Sequence, residues 1–302
     1  MLKELSQCKA KNKQPVTKVI LGNEKVKQVI LGEQQAMPYV TIDGPIPNKP
    51  VIAVEICDYM HEKYPEKLLN AWKDVTKDPY KWASKAKDLG ANLIAIRING
   101  VASEQKTIQD FVSLCDKITS DLTLPISVLG INNRELDKKY LPLLAKELQG
   151  YNVLIGPVEE DNYKEVIPAC VEAGHSVIAR TPIDVNLAKQ LNILITDLGL
   201  KKNKIVMDPN MGGLGYGLDY AYSVIEKIRL AAYEGDQMLD LPMVVFSGEE
   251  AWRTKEAKSS INNEEWGTSK TRSSIWEILS TTSMLLAGAD MAIMSEPESI
   301  VR

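Results

Sequence analysis

The chain has 302 residues, of which 44% are hydrophobic, so it can bury a large core in one α/β domain and is not expected to be disordered. Its 36 basic and 40 acidic residues are interspersed, and the formal net charge of −4 argues against a nucleic-acid partner. No apolar stretch reaches the length of a signal-peptide core or a membrane span, so we expect a cytoplasmic protein without a membrane partner.

Cysteine and histidine residues are too scattered to form a typical metal site. The four cysteines are widely spaced in the sequence: Cys8, Cys57, Cys115 and Cys170. None of them has the C-x-x-C spacing of zinc or cluster ligands. The two histidines are His61 and His175, and His175 begins a predicted strand at the end of the fold that usually provides stability. We therefore expect neither a metal ion nor an iron–sulfur cluster in this chain.

The first segment repeats a short apolar motif around a turn. The motif is KVILG at residues 18–22 and QVILG at residues 28–32. Two β-branched runs on either side of a Gly-Asn turn predict a β-hairpin. Three prolines within residues 45–50 then interrupt the chain, so we place an N-terminal hairpin extension at residues 1–47 and a barrel at residues 48–302.

From residue 51 the sequence alternates short β-branched runs with longer segments of helical period. Eight runs are candidate strands: VIAVEI, NLIAIRI, PISVLG, NVLIGP, HSVIAR, KIVMDP, MVVFSG and MAIMSE. Eight strand-helix units in about 250 residues predict an α/β fold, a (β/α)8 TIM barrel. The alternative, an open doubly wound sheet, is disfavoured because no strand is followed by the G-x-G-x-x-G turn of a dinucleotide site.

Two connections depart from a regular barrel. The first contains two predicted helical pieces, at residues 65–72 and 80–89. Only residues 296–302 follow the eighth strand, which is too short for a complete crossover helix. We expect the barrel to be open on that side, or to be covered there by the hairpin or by another polypeptide.

Polar residues follow the predicted strands, where the functional face of a barrel lies. They are amides, hydroxyls and carboxylates: Asp58, Asn99, Asn132, Glu159, Asp161, Asn162, Thr181, Asp184, Asp208, Asn210, Ser247 and Glu249. Carboxylates at such a rim could bind Mg²⁺ or act as acids, but they also cap helix N-termini. We expect Asp161 to cap the helix that follows it, and Pro182 with Asp184 to open the next helix. No catalytic residue is predicted.

The most unusual local sequence is MDPNMGGLGYG at residues 207–217. It places four glycines within six positions, which allows close approach of the backbone to a ligand or tight packing of the loop itself. The spacing does not fit a P-loop, because no G-K-[ST] follows. The segment resembles the loop after the sixth strand of pterin-binding barrels, and we predict that it faces a ligand.

An aromatic and a basic residue follow the seventh predicted strand. They are Trp252 and Arg253 in the sequence GEEAWRTKEA. Such a pair is typical of protein interfaces, so we predict that Trp252 anchors a partner subunit rather than the core.

Several blocks of the sequence resemble one family, the small (delta) subunit of the corrinoid iron–sulfur protein of the carbon monoxide dehydrogenase/acetyl-CoA synthase system. The blocks are residues 46–58 (IPNKPVIAVEICD), 156–164 (GPVEEDNYK), 181–200, 205–232 and 248–257. The resemblance extends from about residue 46 to the C-terminus. The hairpin matches the family only in type, and the C-terminus is shorter than expected for it.

This resemblance implies a barrel that has no catalytic machinery of its own. Its partner would be a large subunit that carries a four-iron cluster and a cobamide, and the barrel would cover the cobamide at the interface. The heterodimer would carry a methyl group from methyltetrahydrofolate, through a methyltransferase, to acetyl-CoA synthase in the reductive acetyl-CoA (Wood-Ljungdahl) pathway. The residues predicted to contact the cofactor are Asn162, Thr181, Asp184, Asn186, Asp208, Asn210, Gly212, Gly213 and Tyr216.

Two other functions remain open from the sequence. The first is a self-sufficient pterin-dependent methyltransferase that binds methyltetrahydrofolate at the polar mouth with Asp58, Asn99, Asp208 and Asn210. The second is a structural barrel whose mouth is vestigial. Binding of folate by the isolated chain would separate the first of these from a covering subunit.

Overall fold

A computed structural model describes residues 10, 12, 14–61, 64–262, 265 and 267–302. Cys8 lies outside the described residues. The chain forms an antiparallel hairpin followed by eight parallel strands with helices around them. The strands are β1 (Val19–Leu21), β2 (Val29–Leu31), β3 (Val51–Cys57), β4 (Leu93–Arg97), β5 (Ile126–Leu129), β6 (Leu154–Val158), β7 (Ser176–Arg180), β8 (Ile205–Asp208), β9 (Val244–Val245) and β10 (Met291–Met294).

The helices connect the parallel strands on the outside of the sheet. They are α1 (Glu66–Trp72), α2 (Pro79–Asp88), α3 (Asn99–Ala102), α4 (Ile108–Lys117), α5 (Arg134–Glu147), α6 (Tyr163–Ala173), α7 (Val185–Asp197), α8 (Leu218–Glu234), α9 (Ser247–Arg253), α10 (Lys255–Lys258), α11 (Ser269–Ala287) and α12 (Pro297–Val301). Both helical pieces expected before β4 are present, as α1 and α2. Among the described helices, none combines the length and apolarity needed to cross a membrane.

The eight parallel strands close into a barrel, as predicted. Their order is β8-β7-β6-β5-β4-β3-β10-β9. The ring closes between β8 and β9, where the Met207 N–H donates to the Pro242 carbonyl over 2.8 Å and Met207 forms a parallel bridge with Met243. The structure is therefore a (β/α)8 barrel with an N-terminal hairpin.

The strand sequences are apolar on both faces because both faces are buried. In β4, Leu93 and Ala95 belong to the cluster inside the barrel, and Ile94 and Ile96 belong to the cluster between the strands and the helices. All five residues of β4 are buried. This two-sided burial explains why the strands appear as continuous β-branched runs rather than as alternating patterns.

The hairpin closes the amino-terminal end of the barrel. Val19, Leu21, Val29 and Leu31 belong to the same apolar cluster as the residues inside the barrel. The Asn152 side chain fixes the hairpin by donating to the carbonyls of Ile20 and Gly22 over 2.8 and 2.9 Å. The alternative in which the hairpin covers the side next to the eighth strand is wrong, because its apolar face completes the interior instead.

The side of the barrel next to β10 is covered by elements of this chain. The helix after β10 is indeed short, since α12 has five residues. Helix α1 packs beside it, and the Trp72 indole donates to the Ser295 carbonyl over 2.7 Å. The Ser299 hydroxyl ties α12 to α11 by donating to the Ser274 carbonyl over 3.2 Å. The prediction of an open side is therefore wrong.

Trp252 lies in the core rather than at the surface. Its side chain packs with Leu68 and Ala251, and the residue is 6% exposed. The indole N–H donates to Oε2 of the buried Glu277 over 2.9 Å. The prediction that Trp252 anchors a partner is wrong, because α9 turns this side chain inward against α1 and α11.

His175 lies at the amino-terminal end of the barrel, immediately before β7. It is fully buried, and its Nε2 lies 2.8 Å from the Ala145 carbonyl oxygen. Burial lowers the pKa of His175 to about 4. The imidazole is therefore neutral near pH 7 and serves the fold at the end opposite to the polar rim.

Candidate functional site

A buried ionic cluster occupies the carboxyl-terminal end of the barrel. Arg97, the last residue of β4, donates from Nε and Nη2 to the two carboxylate oxygens of Glu55 over 2.6 and 2.8 Å. The same guanidinium donates to Glu249 over 3.0 Å and to the Gly130 carbonyl over 2.9 Å. Glu55 points into this end from β3, and Glu249 comes from the first turn of α9. The cluster joins three parts of the barrel.

A second ion pair lies beside this cluster. Arg180 ends β7 and donates from Nε to Asp208, the last residue of β8, over 2.5 Å. Its guanidinium carbon lies 4.2 Å from the centre of the Phe246 ring. Asn132 links the two ion pairs, since it accepts from Arg180 over 3.1 Å and donates to Glu249 over 3.0 Å. The mouth is therefore one connected polar network.

Arg97 and Glu249 in this network are held in their charged forms by their partners, whereas burial raises the pKa of Asp208. Burial disfavours the charge on Arg97, but Glu55 and Glu249 outweigh burial and raise the pKa of the guanidinium. Burial also opposes ionisation of Glu249, yet Arg97, Arg180 and Arg253 together lower its pKa. A general acid or base works best with a pKa near the working pH. These groups consequently suit a fixed electrostatic surface better than proton transfer.

Asp58 has a pKa close to neutrality, as does Glu277, which accepts from the N–H groups of Ser295 and Glu296 after β10 and whose pKa burial raises to about 8. Burial raises the pKa of Asp58 to about 6, although hydrogen bonds to the charged form oppose the rise. The carboxylate accepts from the backbone N–H groups of Gly100 and Val101 over 2.6 and 3.1 Å. The two carboxylate oxygens of Asp58 thus bind the N–H groups at the start of α3, and this role is structural.

Three neighbouring cavities open at this end. The mouth cavity has a volume of about 290 Å³ and contains Asn132, Asn162, Arg180, Asn210, Glu249 and Arg253 among its lining residues. A second cavity of about 330 Å³ lies beside α7 and includes Thr181 and Asn210. A third of about 600 Å³ is lined by residues 212–216 together with residues from α9 to α11. Six of the nine predicted contact residues are thus divided among the three cavities.

The structure places Asn162, rather than Asp161, at the start of α6. Asn162, not Asp161, is the N-cap residue of α6. The Asn162 side chain is buried and bonds within its own turn, accepting from the Glu159 N–H over 2.8 Å and donating to the Pro157 carbonyl over 3.2 Å. Asp161 instead pairs with Arg134. The prediction that Asp161 caps the helix is wrong, because the turn places the cap one residue later.

Asp184 and Asn186 lie at the start of α7. Asp184 is the N-cap, and its Oδ1 accepts from the N–H groups of Asn186 and Leu187 over 2.7 and 2.9 Å. This confirms that Asp184 opens the helix. Asn186 is exposed in the first turn, but neither residue lines the cavities described above.

The glycine-rich loop folds closely on itself. A Cβ atom on Gly212 would lie 2.6 Å from the carbonyl carbon of Gly217, whereas one on Gly213 would lie 3.3 Å from Thr254 Cγ2. Tyr216 at the tip is 89% exposed. Asn210 precedes the loop with a φ of 60°, and its N–H donates to Asp208 over 2.9 Å. Glycine is therefore required at position 212 by contacts within the loop itself. The exposed tip of the loop at Tyr216 is available to a ligand.

Sequence reasoning missed Glu55, Arg97 and Arg180. Each is a charged residue within an otherwise buried strand, in the sequences VIAVEIC, LIAIR and SVIAR. A charged residue in a strand that is buried on both faces requires a partner of opposite charge. The presence of these three residues in the strand sequences therefore could have indicated a buried ionic cluster. Within the described part of the chain, no three His, Cys, Asp or Glu side chains are grouped as they would be around a metal ion.

Solved structures resemble this chain at the level of the fold. Dihydropteroate synthase of Xanthomonas albilineans with 4-aminobenzoic acid superposes with a TM-score of 0.55 at 10% identity, covering 85% of this chain and 91% of that one. Dihydropteroate synthase from Thermus thermophilus in complex with 6HMPPP gives a TM-score of 0.53 at 11% identity, covering 94% and 95%. These values indicate a shared barrel and no more.

Sequence comparison identifies the family. Residues 18–298 match the family model described as CO dehydrogenase/acetyl-CoA synthase delta subunit. The acetyl-CoA decarbonylase/synthase complex subunit delta of Methanothermobacter thermautotrophicus is 33% identical over 290 residues, or 94% of this chain and 73% of that protein. The subunit delta of Methanocaldococcus jannaschii is 29% identical over 283 residues, or 91% of this chain and 67% of that protein. The chain therefore belongs to the CO dehydrogenase/acetyl-CoA synthase delta subunit family.

Proposed function

We propose that this chain is the small subunit of a heterodimeric corrinoid iron–sulfur protein and acts in the cytoplasm. Its partner is the large subunit, which carries the cobamide and the iron–sulfur cluster. The heterodimer carries a methyl group from methyltetrahydrofolate, through a methyltransferase, to acetyl-CoA synthase in the reductive acetyl-CoA pathway. Membership of the delta subunit family supports this assignment.

The observation that carries the proposal is the charge compensation at the barrel mouth. Arg97 is satisfied by Glu55 and Glu249, and Arg180 is satisfied by Asp208. Groups already bonded to each other in this way are poorly placed to attack a substrate or to transfer a proton. The arrangement fits a surface that receives a cofactor held by another chain.

Amide and hydroxyl groups at this end of the barrel suit the periphery of a corrin. Asn210 lines the mouth cavity, Asn186 is exposed in the first turn of α7 outside the cavities, and the Tyr216 side chain extends from the loop tip. A corrin ring carries neutral amide side chains, which pair with amides and hydroxyls. When bound, the cobamide supplies the cobalt centre for methyl transfer, while this chain contributes orientation and excludes water.

Purification from the native source tests the proposal. A tagged chain is expected to retain a second polypeptide with cobamide and iron, measured by absorbance and elemental analysis. Asn210→Ala and Asn186→Ala should each accelerate cobamide release a few-fold, because one neutral hydrogen bond contributes about 1 kcal/mol net. Gln149→Ala, an exposed amide before β6 at the opposite end, is the matched control. A chain that purifies without a cobamide-carrying partner would overturn the proposal.

A self-sufficient pterin-dependent methyltransferase is the second candidate. The fold likeness to dihydropteroate synthase and the pKa of about 6 for Asp58 favour it. Against it, Asp58 and Asp208 already accept hydrogen bonds from this chain. Calorimetric titration of the isolated chain with methyltetrahydrofolate distinguishes the two. Binding that Asp208→Asn or Asn210→Ala removes would support the methyltransferase.

A further inference from the structure

The cavity beside α7, called here the α7 cavity, combines an apolar wall with an acidic rim. Its volume is about 330 Å³. Leu187, Leu191 and Leu194 form the wall, because residues four and seven positions apart lie on one face of a helix. Leu187 is 39% exposed although it is aliphatic. The other side is the turn that precedes α6, with Glu159 and Glu160.

The charges that line the α7 cavity do not balance. Asp161 pairs with Arg134, and Arg180 pairs with Asp208. Glu159 and Glu160 are exposed, and no ion pair is found for either side chain within the described residues. The rim therefore keeps two carboxylates without an ion pair above an apolar wall, although Arg180, the cation among the lining residues, partly offsets the charge of Glu159.

An independent observation points to a ligand in the same cavity. Thr181 is part of the lining, where it is 7% exposed, and its hydroxyl has no hydrogen-bond partner among the described residues. Buried hydroxyls are nearly always hydrogen-bonded, since an unpaired one costs free energy. A ligand that donates a hydrogen bond would pair with the hydroxyl oxygen of Thr181.

We propose that the α7 cavity receives a basic side chain, lysine or arginine, which the partner polypeptide presents. This inference rests on the proposed function for the identity of the partner. The aliphatic stem of such a side chain packs on Leu187 and Leu191, and its cationic group meets Glu159 and Glu160. Its N–H groups donate to the Thr181 hydroxyl. An anionic guest would be repelled by the rim, and a wholly apolar one would leave Thr181 unpaired.

A small probe tests the cavity without the partner. N-acetyl-arginine amide is titrated into the chain, and leucine methyl resonances are followed by NMR. We expect saturable shifts at Leu187, Leu191 and Leu194 in the millimolar range, which is ordinary for one side chain. The double variant Glu159→Gln with Glu160→Gln should weaken binding about tenfold, whereas Glu172→Gln at the other end of α6 should not. Absence of saturable shifts would overturn the proposal.

The co-purified complex provides the second test. Leu187→Asn and Leu198→Asn form a matched pair, because both leucines are 39% exposed and Leu198 follows α7 at its far end. Leu187→Asn should weaken subunit association about tenfold, and Leu198→Asn should leave it unchanged. The Glu159→Gln with Glu160→Gln variant should also reduce the dependence of association on salt.

Thr181→Val separates a binding role from a structural one. The change removes the hydroxyl and keeps the shape, so the isolated chain should be as stable as before or more stable. Association should nevertheless weaken. If a cobamide-carrying partner co-purifies but none of the cavity variants changes its association, the cavity inference fails alone. If the probe binds and no such partner is found, the proposed function fails instead.

Discussion

Replacement of Arg97 by methionine is the sharpest test of the ionic cluster. The change removes two contacts to Glu55, one to Glu249 and one to the Gly130 carbonyl. The side chains of Glu55 and Glu249 are 12% and 14% exposed, so both carboxylates stay buried. Removing one partner of a buried pair costs about 3–5 kcal/mol of unfolding free energy. Urea unfolding at pH 7, followed by circular dichroism, measures this loss.

A second substitution identifies the cause. Glu249 keeps Asn132 and Arg253, but Arg97 is the hydrogen-bond partner found for Glu55 in the described part of the chain. Glu55→Gln in the Arg97→Met background should therefore recover part of the loss, because it removes the charge that was left buried without a partner. The control is Arg134→Met, whose partner Asp161 is 42% exposed, with an expected loss below about 1 kcal/mol. A loss below about 1 kcal/mol for Arg97→Met, or no recovery in the double variant, would refute the reasoning.

Three further changes test other parts of the structure. Trp252→Ala should lower the unfolding free energy by about 3–5 kcal/mol in urea, because the indole is buried; unchanged stability would restore its role as a surface anchor. His175 should contribute a loss of stability of up to about 3 kcal/mol as the pH decreases from about 6.5 to about 4, since the unfolded chain protonates His175 first. Because burial raises the pKa of Asp58 to about 6 and so acts in the opposite direction, this contribution is measured as the difference between the pH profiles of the original chain and His175→Gln, and identical profiles would contradict the assignment. Gly212→Ala should accelerate hydrogen exchange in residues 212–217 more than Gly213→Ala does, because its Cβ meets backbone at 2.6 Å; equal effects would contradict the steric argument.

The barrel could be predicted from the sequence because parallel strands are apolar on both faces. β4 illustrates this, since every residue from Leu93 to Arg97 is buried. The hairpin was visible from its repeated VIL runs around a turn. Where the hairpin packs was not predictable, because apolar residues show that a face is buried but not which surface covers it. In the structure, Val19 and Leu21 on the apolar face of the hairpin pack against the interior of the barrel.

Predictions for the candidate site were limited by the distance between contacting residues in the sequence. Arg97 and Glu249 are 152 positions apart, so local pattern could not join them. Trp252 was misassigned because its partner Glu277 lies on another helix. In contrast, Asp184 was predicted as a helix start because its hydrogen bonds reach only Asn186 and Leu187. Local chemistry was predictable and long-range pairing was not.

The position of the hairpin determines when this part of the chain can fold. Its attachment includes the Thr17 hydroxyl, which donates to Asp240 over 3.2 Å across 223 positions of sequence. Contacts between such distant residues form slowly because a long loop must close first. The apolar row Val19, Leu21, Val29 and Leu31 has no surface to bury it until most of the barrel has assembled. The hairpin can therefore be buried only after the later strands have formed, and until then its apolar row stays exposed to solvent.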